Sequence, residues 1–136
     1  MKRNIQFSML LAPGWEDATV FSYLGPDFRG RRDVVTVAVD PSVTALLSQY
    51  AEERLPIQMA SIPEPELIQQ EERSLDDGRR VYEATVRSSA GEKSMFYFIT
   101  YLIESGKGYT FMAQAAKHSM KATRGAMRQM VASFQA

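Results

Sequence analysis

The stretch Met95–Ile103, Met-Phe-Tyr-Phe-Ile-Thr-Tyr-Leu-Ile, restricts the fold more than any other part of the chain. A strand with one wet face alternates apolar and polar residues. Here Met95, Tyr97, Ile99, Tyr101 and Ile103 occupy one parity, and Phe96, Phe98 and Leu102 the other. The run is too short to cross a bilayer as a helix, and its aromatic and β-branched content favours a strand. Both faces must then be covered, one by the chain's own helices and the other by something else. The second cover is where function is to be sought.

The rest of the chain supplies the elements around this strand. Ile5–Leu11 alternates as a first strand and stops at Pro13-Gly14, and Trp15–Leu24 is a second, ending at Gly25-Pro26. Asp27–Arg32 reads as an exposed loop, and Asp33–Asp40 as a third strand with Val35, Val37 and Val39 on one side. Ser42 is placed to cap a helix whose apolar residues Val43, Leu46, Leu47, Tyr50, Ala51 and Leu55 recur every three or four positions. Pro56–Pro65, with three prolines, reads as a constrained connection. Four further strands follow, Glu66–Leu75, Arg79–Arg87, Lys93–Ile103 and Lys107–Ala116. Asp76-Asp77-Gly78, Ser88-Ser89-Ala90-Gly91 and Glu104-Ser105-Gly106 between them have turn chemistry, which implies antiparallel hairpins. A last helix over Ser119–Phe134 carries Met120, Met127, Met130, Val131 and Phe134. The expected fold class is α+β, a mainly antiparallel sheet of about six to seven strands with two main helices. The order is βββ-α-ββββ-α, in one domain spanning residues 1–136.

Two helices are few for such a sheet, since one helix covers roughly two strands. If both lie on one face, the other is bare, and parity nominates what it shows. With Val35, Val37 and Val39 in the core, Val34, Thr36 and Ala38 face away, joined on the second strand by Val20 and Ser22. On the long strand Tyr97, Ile99 and Tyr101 are assigned outward, because tyrosine tolerates a wet rim better than phenylalanine. A surface of small residues, a hydroxyl, aliphatics and tyrosines suits a peptide, a helix or a lipid-like ligand. The alternatives are that a homodimer buries this face, or that the Asp27–Arg32 loop folds over it.

Catalytic chemistry finds little support in the residues. Lys+Arg 16 balance Asp+Glu 16, so no global field steers the chain to nucleic acid or an anionic membrane. With no cysteine there is no disulfide, thiolate metal site or Cys nucleophile. His118 is the sole histidine, so a triad or multi-histidine site has at most one member, and a capping or surface role fits it better. Ser105-Gly106-Lys107-Gly108 lacks the earlier glycine and the Ser or Thr of a phosphate loop. Glu71/Glu72 point to opposite faces of a strand, and Asp76/Asp77 belong to a turn, so neither pair makes a glycosidase dyad. The arginines at 29, 31, 32, 79 and 80 sit in no recognisable nucleic-acid motif. No enzyme, cofactor or metal is expected. The apolar N-terminal run is broken by Gln6 and Ser8 and lacks a cleavage site, so a cytoplasmic protein without membrane insertion is expected.

Pro13-Gly14-Trp15-Glu16-Asp17 with Thr19–Tyr23 and Gly25-Pro26 resembles the opening of the DcrB family. Leu46, Tyr50 and Leu55 resemble its first helix, Leu75-Asp76-Asp77-Gly78-Arg79-Arg80-Val81-Tyr82 a strand junction, and Ala132-Ser133-Phe134 its closing helix. The resemblance spans nearly the whole chain and implies a PsbP-like fold. Stand-alone cytoplasmic members resemble Eag-type chaperones of type VI secretion, homodimers whose concave sheet holds an effector's N-terminal transmembrane helices. Carried over, it implies a groove of Val20, Ser22, Thr36, Ala38 and Ile99 with Arg54 on the helix edge. Some of these chaperones have groove glutamines where this chain has Arg54 and Ile99. Other members are envelope lipoproteins, whose lipobox cysteine is absent here. The expected function is therefore a non-enzymatic adaptor or chaperone for an apolar helix or peptide of a secreted effector. A structural homodimer with its sheet face closed, binding its partner elsewhere, is the alternative.

Overall fold

The computed structural model describes residues 7–27, 29–89, 91 and 94–136. Six strands form one antiparallel sheet: β1 (Val20–Leu24), β2 (Val34–Asp40), β3 (Pro65–Ser74), β4 (Arg80–Ser88), β5 (Met95–Glu104) and β6 (Lys107–Ala116). Helices α1 (Leu47–Met59) and α2 (Met120–Ser133) follow β2 and β6. Across the sheet the order is β1-β2-β6-β5-β4-β3, so β3 to β6 form a meander and β1 and β3 are its edges. The α+β class, the antiparallel sheet and both helices agree with the sequence reading. The first expected strand is different. Phe7–Leu11 has no strand structure, while Ile5 and Gln6 lie outside the described residues.

Turn residues set the register where the chain reverses. Ser105 and Gly106 both have positive φ (53° and 73°), as the two-residue β5–β6 hairpin requires. They pair Glu104 with Lys107 and fix which side chains of β5 and β6 share a face. At the β3–β4 turn Gly78 takes φ 91°, and the Leu75 N–H donates to the Arg79 carbonyl at 2.7 Å.

Several boundaries move for identifiable reasons. The first helix begins at Leu47, not after Ser42, because the Val43 N–H donates to the Gly106 carbonyl (2.8 Å) and ties the approach to the β5–β6 turn. It then runs through Pro56, whose ring is exposed and whose carbonyl accepts from the Ala60 N–H. Pro56 forgoes the hydrogen bond to the Glu52 carbonyl and its ring crowds that carbonyl, a cost of about 3 kcal/mol that the burial of Tyr50, Ala51 and Leu55 offsets. β1 starts at Val20 because Asp17 accepts the Thr19 N–H at 2.9 Å and holds the preceding residues in a turn. On α2, Thr123, Met127 and Val131 are the buried line, whereas Met130 is exposed.

The covering of the sheet corrects the expectation that both helices share one face. Tyr50, Ala51 and Leu55 of α1 pack with Ala84, Val86, Ile99 and Tyr101. Met127 and Val131 of α2 pack on the opposite face with Val35, Val37, Phe98, Leu102 and Phe111. β5 is apolar on both parities because each of its faces carries one of the chain's own helices.

Candidate functional site

Each face of the sheet carries one helix where there is room for two. Six strands at about 4.8 Å spacing span roughly 24 Å, and helices pack 8–10 Å apart. The α1 helix lies over β4 and β5. Among the described residues no helix lies above the other half of its face, over β1, β2 and β6.

The register decides which residues line that half. Val20 pairs with Ala38, Ser22 with Thr36 and Leu24 with Val34, so these six share a face. Thr36 then pairs with Met112, and Met112 with Ile99, which joins them to the α1 side. Val20 and Leu24 are 53% and 58% exposed, Ser22 and Gln114 are exposed, and Val34, Thr36, Ala38, Met112 and Tyr97 are half-buried. The result is a shallow trough with a floor of small and aliphatic side chains and a wall formed by α1. Arginines mark its two ends. Arg54 on α1 ion-pairs with Asp40 at the end of β2 and lies over the Tyr50 ring, 5.5 Å from its centroid. At the far end the Arg31 guanidinium lies 3.8 Å from the Met95 sulfur.

The matching half of the α2 face is different in kind. There β3 and β4 present Arg73 and Glu83, which Arg128 of α2 joins in an ion triad. Arg73 Nε donates to Glu83 Oε1 at 2.8 Å and Arg128 Nη2 to the same oxygen at 2.9 Å. Burial alone would push the Glu83 carboxyl up, but hydrogen bonds from Arg73 and Arg128 outweigh it and hold the group below its ordinary value. This half is charged and satisfied. The uncovered half beside α1 carries no charge on its strands between Leu24 and Ala38, only aliphatic side chains with the hydroxyls of Ser22 and Thr36 and the Gln114 amide.

The residues nominated from sequence fall into two groups. Val20, Ser22, Thr36, Ala38, Tyr97, Ile99 and Tyr101 share one face, as parity assigned them. Val20, Ser22, Thr36, Ala38 and Tyr97 reach the trough, and Arg54 stands at its wall. Ile99 and Tyr101, both fully buried, lie under α1. The Tyr101 hydroxyl donates to Gln58 of that helix, and burial pushes its pKa up. Val34, turned outward by the same parity, lines the trough too, and Met112, Gln114 and Leu24 line it as well and were missed. The β5–β6 hairpin register places Met112 opposite Ile99 and Gln114 opposite Tyr97, and the β1–β2 register places Leu24 opposite Val34.

Among the described residues no group of three His, Asp or Glu gathers as a metal site, and no helix is long and apolar enough to cross a membrane.

Comparison with known proteins follows this geometry. Residues 40–136 match the family described as PsbP. The chain belongs to the PsbP family. PA94 of Pseudomonas aeruginosa, described as a protein of unknown function, aligns with it at a TM-score of 0.72 and 11% identity, covering 93% of this chain and 88% of that one. The cyanobacterial PsbP of Synechocystis sp. PCC 6803 aligns at 0.58 and 15% identity, covering 91% and 96%. LpqN of Mycobacterium tuberculosis, described as involved in cell envelope biogenesis, aligns at 0.53 and 10% identity, covering 86% and 81%. At these identities the likeness is one of fold. No curated protein matches this PsbP-family chain in sequence.

Proposed function

We propose that this PsbP-family chain is a non-enzymatic binding protein, a chaperone or adaptor that shelters an apolar helix or peptide in the trough beside α1. The fitting partner is a hydrophobic segment of another protein, such as the N-terminal transmembrane segment of a secreted effector. The resemblance to DcrB-family, Eag-type chaperones supports the effector as its source and the cytoplasm as its place of work.

One observation carries the reading. The uncovered half of the α1 face is floored by Val20, Ser22, Thr36, Ala38 and Met112, whereas the uncovered half of the α2 face is charged and self-satisfied. From β1 across β2 to β6 is about 10 Å, the diameter of one α-helix. The small side chains Ser22 and Ala38 let a helix approach closely. Thr36 and Gln114 supply polar groups at the surface of the trough. A transmembrane segment of about 20 apolar residues aggregates in water, and each Å² of it covered is worth about 25 cal/mol.

The test is retention of a co-expressed apolar helix by chains carrying Ala38→Asp or Thr36→Asp. Both positions are half-buried and lie off the α1 contact, so the chains fold and the helix is lost. Retention by both variants at the wild-type level, with folding intact, would overturn the proposal.

A further inference from the structure

The trough has a floor and only one wall. Its floor is β1, β2 and β6, α1 rises on one side, and on the other side the sheet ends at β1. A transmembrane helix is apolar all round, and each packed neighbour covers a stripe of about 100° on it. Floor and α1 together then hide about 200° of such a helix and leave the rest in water. The open side needs a cover of its own.

The chain carries uncovered apolar residues at that side. Before β1, Leu10 is 100% exposed, Phe7 81% and Trp15 75%, with Met9 and Leu11 also exposed. From Phe7 to Trp15 the sequence holds no charged residue. Val20 and Leu24 of β1 are exposed too, so the apolar character of the floor continues along the chain into this arm. Phe7, Met9 and Leu11 alternate as in an extended segment with one covered side, yet Phe7–Leu11 pairs with no strand among the described residues. The eight residues 12–19 between arm and strand reach at most about 28 Å when extended. Turns at Ala12–Trp15 and at Asp17–Thr19 take up part of that length. A helix lying on the strands is about 10 Å thick, and what remains is enough to climb it.

We propose that residues 7–15 are the second wall of the trough, closing over the open side of a bound apolar helix with Phe7, Met9, Leu10, Leu11 and Trp15. The inference rests on the reading that the trough holds such a helix, and it names what covers the side that floor and α1 leave bare. The arm is anchored at β1, the edge opposite α1, so the two walls grip the guest from either side. Its exposure without a guest and its freedom from charge have one cause, since the surface it is suited to meet arrives with the partner.

Trp15 is the one tryptophan of the chain, and it reports on the arm directly. A tryptophan-free peptide of about 20 apolar residues flanked by lysines is titrated into the full chain. Trp15 emission should move to the blue and its quenching by acrylamide should fall on saturation, with no such change in Ala38→Asp. Leu10→Ser/Leu11→Ser should keep the wild-type circular dichroism, since both residues are exposed, and bind the peptide roughly tenfold or more weakly. Peptide held in the trough, shown by amide shifts at Thr36 and Ala38, with Trp15 quenching unchanged would overturn the second wall and leave the trough reading standing. Wild-type affinity of the double variant would do the same. A folded wild-type chain that binds no peptide would overturn the trough reading and the wall with it. A Trp15 already shielded from acrylamide in the free chain would also overturn the proposal, because the arm would then be covered without a guest.

Discussion

Gly108→Ala tests how α1 is seated beside the trough. Gly108 pairs with Asp40 at the end of β2 and lies beneath the first turns of α1. A Cβ at this position would stand 2.6 Å from Tyr50 Cζ and 2.9 Å from Val43 Cγ2, distances that force something to move. Tyr50 has little freedom to do so. Its ring is buried, meets Tyr101 edge-on at 5.9 Å between centroids and lies under the Arg54 guanidinium. Overpacking of a tight site costs about 1–3 kcal/mol. For a chain of this size that lowers Tm by roughly 4–15 °C. Thermal denaturation followed by circular dichroism is the assay, with Gly108→Ala made both alone and on a Tyr50→Leu background. The smaller leucine leaves room for the methyl group, so the alanine should cost at least 1 kcal/mol less there, a coupling expected only of groups in contact. An unchanged Tm for Gly108→Ala, or equal costs on the two backgrounds, would refute the idea that Tyr50 on Gly108 seats the helix.

Three further outcomes follow from the structure. Glu83→Gln leaves two partly buried guanidinium groups sharing a neutral amide and should cost about 1–3 kcal/mol at neutral pH, read by urea denaturation. Because the folded state holds the Glu83 carboxyl below 4.5, its contribution is complete above that pH and lost as pH falls through the depressed value, so the variant should show a shallower loss of stability in that acid range. Ile99→Asp puts a charge on the buried floor under α1 and should abolish cooperative unfolding, whereas Ala38→Asp in the trough should keep it; equal behaviour of the two would contradict the placement of the helix. Arg79 donates to the Phe134 and Ala132 carbonyls at 2.7 and 3.0 Å and so caps the end of α2, and Arg79→Ala should speed amide exchange in the last turn of α2 while sparing α1.

What could be read from the sequence follows from what is local. The β5 run of Met95–Ile103 announces a doubly covered strand, and valine alternation in β2 assigns Thr36 and Ala38 to the face opposite Val35 and Val37, where the structure has them. The side on which a helix packs is not local. Tyr50 and Leu55 make α1 amphipathic, but nothing in their spacing says whether they meet Ile99 or Phe98, and that choice decided which predicted trough residues were covered. Ile99 and Tyr101 were therefore assigned to the right face and the wrong half of it. The start of α1 depended on the Val43 bond to Gly106, a contact between residues far apart in sequence. Met112 and Gln114 share a face with Ile99 and Tyr97 through the β5–β6 hairpin, but only the β2–β6 register sets them beside Thr36 and Val34 on the half that α1 leaves open. Phe7–Leu11 has a strand's pattern without a strand's partner, since pattern records the burial a segment is suited to and not the chain that supplies it.

The trough is the centre of this account, and amide chemical-shift mapping tests it most directly. A peptide of about 20 apolar residues flanked by lysines is titrated into isotope-labelled protein. The account predicts perturbations concentrated at Val20, Ser22, Thr36, Ala38, Met112 and Gln114, with the Arg73–Glu83–Arg128 region unmoved. Saturable binding whose perturbations gather on the α2 face, or no binding to a folded protein, would contradict it.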